Sequence, residues 1–138
     1  MHKKPKTIYQ MVEMMKSVYA NKIAVCFCRQ EIVYSISYLE FYEDICRGVS
    51  FFRQLCGKEC HHIAILANNS YSYLVNILAI ILSGNVVVPL NIQKNIEEIS
   101  YELQHADIDF VLHDGLYIER EPNLREQYNV KLFDMDCY

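Results

Sequence analysis

The sequence predicts an α/β fold of three layers: a mostly parallel sheet with helices on both faces, preceded by an N-terminal β-hairpin. Three observations predict it. From His62 onward, short apolar runs alternate with helical periods, the pattern of strand–helix–strand crossovers in a parallel sheet. Within that region Ile63–Asn91 joins two turn signals, a helix apolar on almost every face and a β-branched strand, a combination suited to the buried centre of such a sheet. Ahead of it, Ile23–Cys28 and Glu31–Ser35 are two short β-branched runs around Arg29-Gln30, which reads as a hairpin.

The elements follow in order. Thr7-Ile8-Tyr9-Gln10 is a capping box, and Ile8, Met11, Val12, Met15, Val18 and Tyr19 then recur at the spacing of one helix face. Ser37-Tyr38-Leu39-Glu40 is a second capping box, after the hairpin. It opens a helix carrying Leu39, Tyr42, Ile45, Val49, Phe52 and Leu55 on its inner face and stopped by Gly57. His62–Leu66 is a continuous apolar strand. Asn68-Asn69-Ser70 supplies a turn and the N-cap of a helix over Tyr71–Ser83, closed by Gly84. Because that helix has no polar stripe, it must be covered on more than one side, and part of it is expected to face a neighbouring domain. Val86–Leu90 is the next strand, with Pro89 at its end or on an edge, since proline donates no ladder bond. Asn95, with Glu98 three residues on, caps a helix through Gln104 that turns Ile96, Ile99 and Leu103 inward. Asp109–His113 is a short strand, residues 115–129 read as loop with one helical turn, and Val130–Met135 is the last strand. Residues 1–138 are thus expected to form a single α/β domain behind a disordered tail, residues 1–6.

Composition excludes several classes of function. Thirteen basic against seventeen acidic residues give a net charge of −4, which argues against a nucleic-acid partner. The basic cluster His2-Lys3-Lys4-Pro5-Lys6 is confined to the terminus and reads as a solvated start of chain. The longest apolar stretch, Leu74–Leu90, is interrupted by Asn76, Ser83, Gly84, Asn85 and Pro89. A membrane span needs about 20 largely apolar residues, so none is expected. The six cysteines form no CxxC pair and are read as buried, reduced thiols of a cytoplasmic protein. Cys56, Cys60, His61 and His62 lack the second ligand pair that a zinc site would need.

In an open α/β sheet, ligands bind beyond the carboxyl ends of the strands, here Ala67–Ser70, Asn91–Asn95 and Asp114 onward. A phosphate site there would need glycines that let backbone N–H groups approach the anion. Gly48, Gly57, Gly84 and Gly115 are all isolated, and neither GxGxxG nor GxxxxGK[ST] occurs. Asn68-Asn69-Ser70 could hold an anion on free N–H groups, but a turn with an N-cap accounts for it. His105 and His113, with Asp107, Asp109 and Asp114, form the patch that most resembles acid/base chemistry, and helix-end and loop polarity explain it equally well. His61-His62 precedes a buried strand and reads as structural. No catalytic, cofactor-binding or metal-binding residue is therefore assigned to this segment.

Ser37-Tyr38-Leu39-Glu40-Phe41 resembles the T-Y-x-E-L motif of the adenylate-forming (AMP-binding) superfamily: acyl-CoA synthetases, nonribosomal peptide synthetase adenylation domains and luciferases. His62–Asn91 is similar to that superfamily's VAIxLxNSxEyvvaxLAilkaGavvvPLnp segment. Asn69-Ser70, Leu78-Ala79-Ile80, Gly84 and Val88-Pro89-Leu90-Asn91 fall in register. Asn95–Asp114 resembles the stretch that follows, and the Thr7-capped helix and hairpin match the family's opening. Asn85 departs from the small apolar residue usual after the glycine, and Asn91-Ile92-Gln93 lacks the common second proline.

The resemblance implies the N-terminal portion of an enzyme that uses ATP and Mg²⁺ to make an acyl-adenylate and passes the acyl group to a thiol, on coenzyme A or a carrier protein. The family's Ser/Thr/Gly-rich phosphate loop, adenine and metal site, ribose-binding Asp and mobile catalytic Lys have no counterparts in these residues. The segment alone is thus expected to bind no cofactor and to be inactive. Its expected partners are the remainder of the parent enzyme and a second copy, in a homodimer covering helix Tyr71–Ser83 or a sheet edge. The alternative is a stand-alone, non-catalytic α/β binding or interaction module.

Overall fold

The structure, a computed structural model, describes residues 4–138. In chain order the elements are α1 (Ile8–Ser17), β1 (Ile23–Arg29), β2 (Ile32–Ser37), α2 (Tyr38–Cys56), β3 (His62–Leu66), α3 (Tyr71–Leu82) and β4 (Val86–Pro89). They continue with α4 (Ile96–His105), β5 (Ile108–His113), α5 (Leu116–Arg120), α6 (Leu124–Tyr128) and β6 (Lys131–Asp134). The strands β4-β3-β5-β6 form a four-stranded sheet whose pairings are all parallel, and β1 and β2 form a separate antiparallel hairpin.

Alternation along the strands builds the two faces. Ile63, Ile65, Phe110 and Leu112 point to one side, where Phe52 and Cys56 of α2 and Ala79 and Ile80 of α3 cover them. Ala64, Leu66 and Val111 point to the other, under Ile99 and Leu103 of α4, Tyr117 of α5 and Leu124 of α6. Three layers result, as expected. A third cluster, Val12, Met15, Phe41, Ile45 and Val75, joins α1 to α2, α3 and the hairpin.

Of α3, expected to face a neighbouring domain in part, the sheet, α2 and the α1–hairpin layer bury Val75, Asn76, Ala79 and Ile80, while Leu74 is exposed and the rest of the helix is half-buried. The inner face of α2 also differs from expectation: Phe41, Ile45, Gly48, Phe52 and Cys56 are buried, while Leu39, Tyr42, Val49 and Leu55 are half-buried. Packing against α3 rotates the helix so that Gly48 lies at the crossing. The hairpin turn falls at Gln30-Glu31, one residue later than expected, with φ of 50° and 64° as in a type I′ turn. The shift sets Phe27 opposite Tyr34 with their rings stacked, and a one-residue slip would turn both outward.

Residues 115–129 hold two short helices rather than a loop. Tyr117 and Leu124 are each driven into the core beneath α4, and Pro122 forces Glu121 out of helical geometry between them. Of the expected tail, residues 1–3 lie outside the described residues, while Lys4–Lys6 are exposed. The buried-thiol expectation holds for Cys56 alone. Cys26, Cys28, Cys60 and Cys137 are exposed, and Cys46 is partly so.

The caps set the helix starts. Ser37 Oγ accepts the Glu40 N–H at 3.2 Å, while the Glu40 carboxylate accepts the Ser37 N–H at 2.7 Å. The Ser37 backbone N–H and then its hydroxyl hold the Glu40 carboxyl below its usual range. A depressed carboxylate pKa stabilises the fold above the unfolded-state value, and this is lost as pH falls through the folded value. Ser37→Ala is expected to cost about 1 kcal/mol at neutral pH, from the lost cap. It should also shrink the difference between the urea midpoints at pH 7 and pH 3. An unchanged pH dependence would count against the reciprocal cap.

Candidate functional site

The strands β3, β5 and β6 end on one side of the sheet, beside the hairpin. After β3 the chain turns through Asn68-Asn69-Ser70 into α3, and Ser70 Oγ accepts the Tyr73 N–H at 3.1 Å. After β5, Asp114 ties the loops together: its carboxylate accepts the Asn68 N–H at 2.8 Å and the Leu116 N–H at 3.2 Å. His113 Nδ1 accepts the Gly115 N–H at 3.1 Å, so this nitrogen is an acceptor. Between these loops and the hairpin lies an open groove of about 710 Å³, lined by Phe27 and Arg29 on one side and Asn69, Ser70, Asp114 and Asp136 on the other.

A smaller recess of about 180 Å³ adjoins it, between α2, α3 and the segment after β6. There Tyr71 donates its hydroxyl to Asp44 at 2.5 Å, and Asp44 also pairs with Arg47. Burial, followed by the Asp44 carboxylate, pushes the Tyr71 phenol well above its usual pKa. Ser72 donates its hydroxyl to Asp136. The buried Asn76 accepts the Tyr138 hydroxyl at 3.0 Å and donates to the carbonyls of Met135 at 3.2 Å and Ser72 at 2.9 Å.

These residues do not fit a nucleotide triphosphate. The Asn68 and Tyr73 N–H groups are already bonded, and Asp114 and Asp136 place negative charge where phosphates would have to sit. What the groove offers is the Asn69 and Ser70 side chains for hydrogen bonding, aromatic surface, the Arg29 cation and the Asp114 and Asp136 carboxylates.

Of the sequence candidates, Asn68-Asn69-Ser70, His113 and Asp114 lie at this carboxyl end. His61, His62, His105, Asp107 and Asp109 lie at the amino end of the strands. Along β5, Asp109 and Asp114 are about 17 Å apart at ~3.3 Å per residue, so the acid/base patch is split between opposite ends of the sheet. Asp109 instead meets His61, with Nδ1 and Oδ2 2.9 Å apart. His62 Nδ1 donates to the Ala106 carbonyl, and the His105 ring stacks on Tyr101. Among the described residues no three metal-capable side chains cluster, around Cys56 and Cys60 or elsewhere.

Sequence reasoning missed the Asp44–Tyr71 and Ser72–Asp136 contacts, whose partners are 27 and 64 residues apart. One sequence signal did have a structural cause. Asn85, the departure from the family pattern, is buried, accepts the His61 N–H at 2.9 Å and donates to Ser83 Oγ at 2.9 Å, fixing the start of β3.

The chain is similar to known proteins in both sequence and structure. The chain is 29% identical over 122 residues to the crotonobetaine/carnitine–CoA ligase of Proteus mirabilis (strain HI4320), an alignment covering 87% of this chain and 24% of that protein. It resembles the Klebsiella oxytoca NpsA N-terminal subdomain in complex with 3-hydroxyanthranilyl-AMSN, with a TM-score of 0.76 at 16% identity over 97% of this chain and 32% of that one. It likewise resembles Bacillus subtilis O-succinylbenzoate coenzyme A synthetase in complex with AMP, with a TM-score of 0.76 at 20% identity over 91% of this chain and 24% of that one. The structural likenesses show the fold, and the chain spans between about an eighth and a quarter of the length of the curated relatives it matches. The sequence model of the AMP-binding enzyme family matches residues 13–135, and the chain belongs to that family.

Proposed function

We propose that this chain is the N-terminal structural portion of an ATP-dependent, AMP-forming ligase. The whole enzyme activates a carboxylic acid as its acyl-adenylate and transfers it to a thiol of coenzyme A or a carrier protein. The observation that carries this reading is the family match over residues 13–135. The curated relatives, all CoA ligases by name, support the thiol acceptor. The parent enzyme would use ATP with Mg²⁺ and work in the cytoplasm; among the described residues no helix is long and apolar enough to cross a membrane.

In this reading the segment is architectural and inactive alone. At the carboxyl ends of β3 and β5 the Asn68, Tyr73 and Leu116 N–H groups are bonded to Asp114 and Ser70, and the Asp114 and Asp136 carboxylates repel an anion, which supports phosphates being held by other parts of the enzyme. Titration calorimetry of the isolated chain with ATP and Mg²⁺, or with AMP, is expected to show no stoichiometric binding. A one-site isotherm in the micromolar range would overturn the inactive-segment reading. Sequencing the gene beyond the codon for Tyr138 tests the parent. A Ser/Thr/Gly-rich loop ending in Lys, in frame, supports the ligase, and an immediate stop codon favours a stand-alone module. Self-association is a further expectation. The exposed apolar residues of the hairpin favour a sheet edge over helix Tyr71–Ser83 as the contact.

A further inference from the structure

The hairpin carries a concentration of exposed apolar surface that the rest of the fold does not explain. Ile23 is 61% exposed, Ile32 56%, Val33 71% and Tyr34 41%. A lone two-stranded ribbon is marginally stable in water, and a free β-branched edge is a template for another strand. Between Glu31 and Glu40, β2 has no charged side chain to prevent such pairing.

The turn determines which groups on that edge are available. In a two-residue hairpin the pair flanking the turn, here Arg29 and Ile32, is hydrogen-bonded, and the pairs then alternate. Phe27–Tyr34 is therefore also a hydrogen-bonded pair. Val33, opposite Cys28, and Ser35, opposite Cys26, turn their N–H and C=O groups away from β1. The next outward N–H, that of Ser37, is taken by the Glu40 carboxylate at 2.7 Å. The free edge is thus Val33–Ser35, a pattern that complements itself.

We propose that β2 pairs antiparallel with β2 of a second copy about a two-fold axis at Tyr34, making one four-stranded sheet from two hairpins. In that register Val33 exchanges both backbone hydrogen bonds with the second copy's Ser35, and Ser35 does the same with the second copy's Val33. The two Tyr34 residues face each other as the close, non-hydrogen-bonded pair. Ile32 lies opposite the second copy's Ile36, on the face where Phe27 stacks on Tyr34 and Tyr71. A neighbouring register centred on Ser35 would set Val33 against Ser37, whose N–H is already occupied, so the Glu40 cap selects the Tyr34-centred one. At each rim Glu31 falls opposite the second copy's Ser37 and near its Glu40, so added salt should tighten association by screening the two carboxylates.

Light scattering of the 138-residue chain from about 10 µM to 1 mM tests this. The mass is expected to rise toward twice that of the monomer, more so at 0.5 M than at 0.05 M NaCl. Val33→Pro removes an N–H that the hairpin itself does not use, and should raise the dissociation constant at least tenfold with an unchanged thermal melt. Val33→Lys does the same by charge, and decides the matter if the proline variant unfolds. Leu74→Lys, on the exposed part of α3, should leave the dimer intact. A constant monomer mass overturns the proposal and leaves the edge to polypeptide outside these residues. A dimer dispersed by Leu74→Lys but not by the Val33 variants also overturns it.

Discussion

Replacing Asn76 with leucine is expected to lower the unfolding free energy by about 2–3 kcal/mol, a large part of the 5–15 kcal/mol typical of a domain. Asn76 is 1% exposed on α3, and its amide ties the segment after β6 to the helix through the Met135 carbonyl and the Tyr138 hydroxyl. Leucine fills the same space but leaves that buried carbonyl without its donor. An orphaned buried polar group costs about 1–3 kcal/mol. The Tyr138 hydroxyl loses its acceptor too, but Tyr138 is exposed enough to recover part of that bond from water. The bond from Asn76 to the Ser72 carbonyl adds little, because that carbonyl also sits in the α3 ladder. Urea unfolding would show the midpoint falling by about 1–2 M, for a slope of ~1–3 kcal/mol/M. Tyr138→Phe, which removes only the hydroxyl, should cost about 1 kcal/mol. A loss under about 0.5 kcal/mol in Asn76→Leu would mean that the tie is not stabilising.

Gly48→Ala should also destabilise, although the same change in an exposed helix interior gains up to about 1 kcal/mol. A Cβ on Gly48 would sit 2.6 Å from the Ala79 Cβ and 2.7 Å from the Tyr138 hydroxyl oxygen. The hydroxyl, at the end of a side chain, can swing away. The Ala79 methyl is fixed to the α3 backbone, so α2 and α3 must separate along their whole contact. Overpacking of this kind costs about 1–3 kcal/mol and outweighs the gain in propensity, leaving a net loss of about 1–2 kcal/mol. Adding Ala79→Gly should restore part of the loss, so a double-mutant cycle would show a favourable coupling between the two sites. A melting temperature raised by Gly48→Ala alone would refute the close-contact account.

Much of the fold was legible because its signals are local. Caps act between residues three apart, so the starts of α1, α2 and α4 fall where Thr7, Ser37 and Asn95 predict, although at α1 only half of the expected capping box forms, since the Gln10 side chain accepts the Lys6 N–H instead of that of Thr7. Strand β3, an apolar run bounded by His61 and Ala67, was legible residue for residue. The hairpin was legible as a hairpin but not in its register. Gln30-Glu31 carries no glycine or asparagine to mark a type I′ turn, and the stacking of Phe27 on Tyr34 and Tyr71 decides the matter. Residues 115–129 were misread because α5 and α6 are each shorter than two turns, too short to show a period. The candidate site was legible only as a location. Asn68–Ser70 and Asp114 follow from the rule about strand ends, but the bond from the Asn68 N–H to Asp114, across 46 residues, does not.

By itself the sequence determined the layers, the element order through β5, the family and the absence of a phosphate-binding motif in these residues. Each of these follows from the spacing of residues close together in the chain. Tertiary structure decided what covers α3, that Asp109 meets His61 rather than Asp114, and that Asp44, Ser72 and Asp136 gather around one recess. These contacts depend on the strand order β4-β3-β5-β6 and on the α2–α3 crossing at Gly48, which bring together residues that no spacing rule relates.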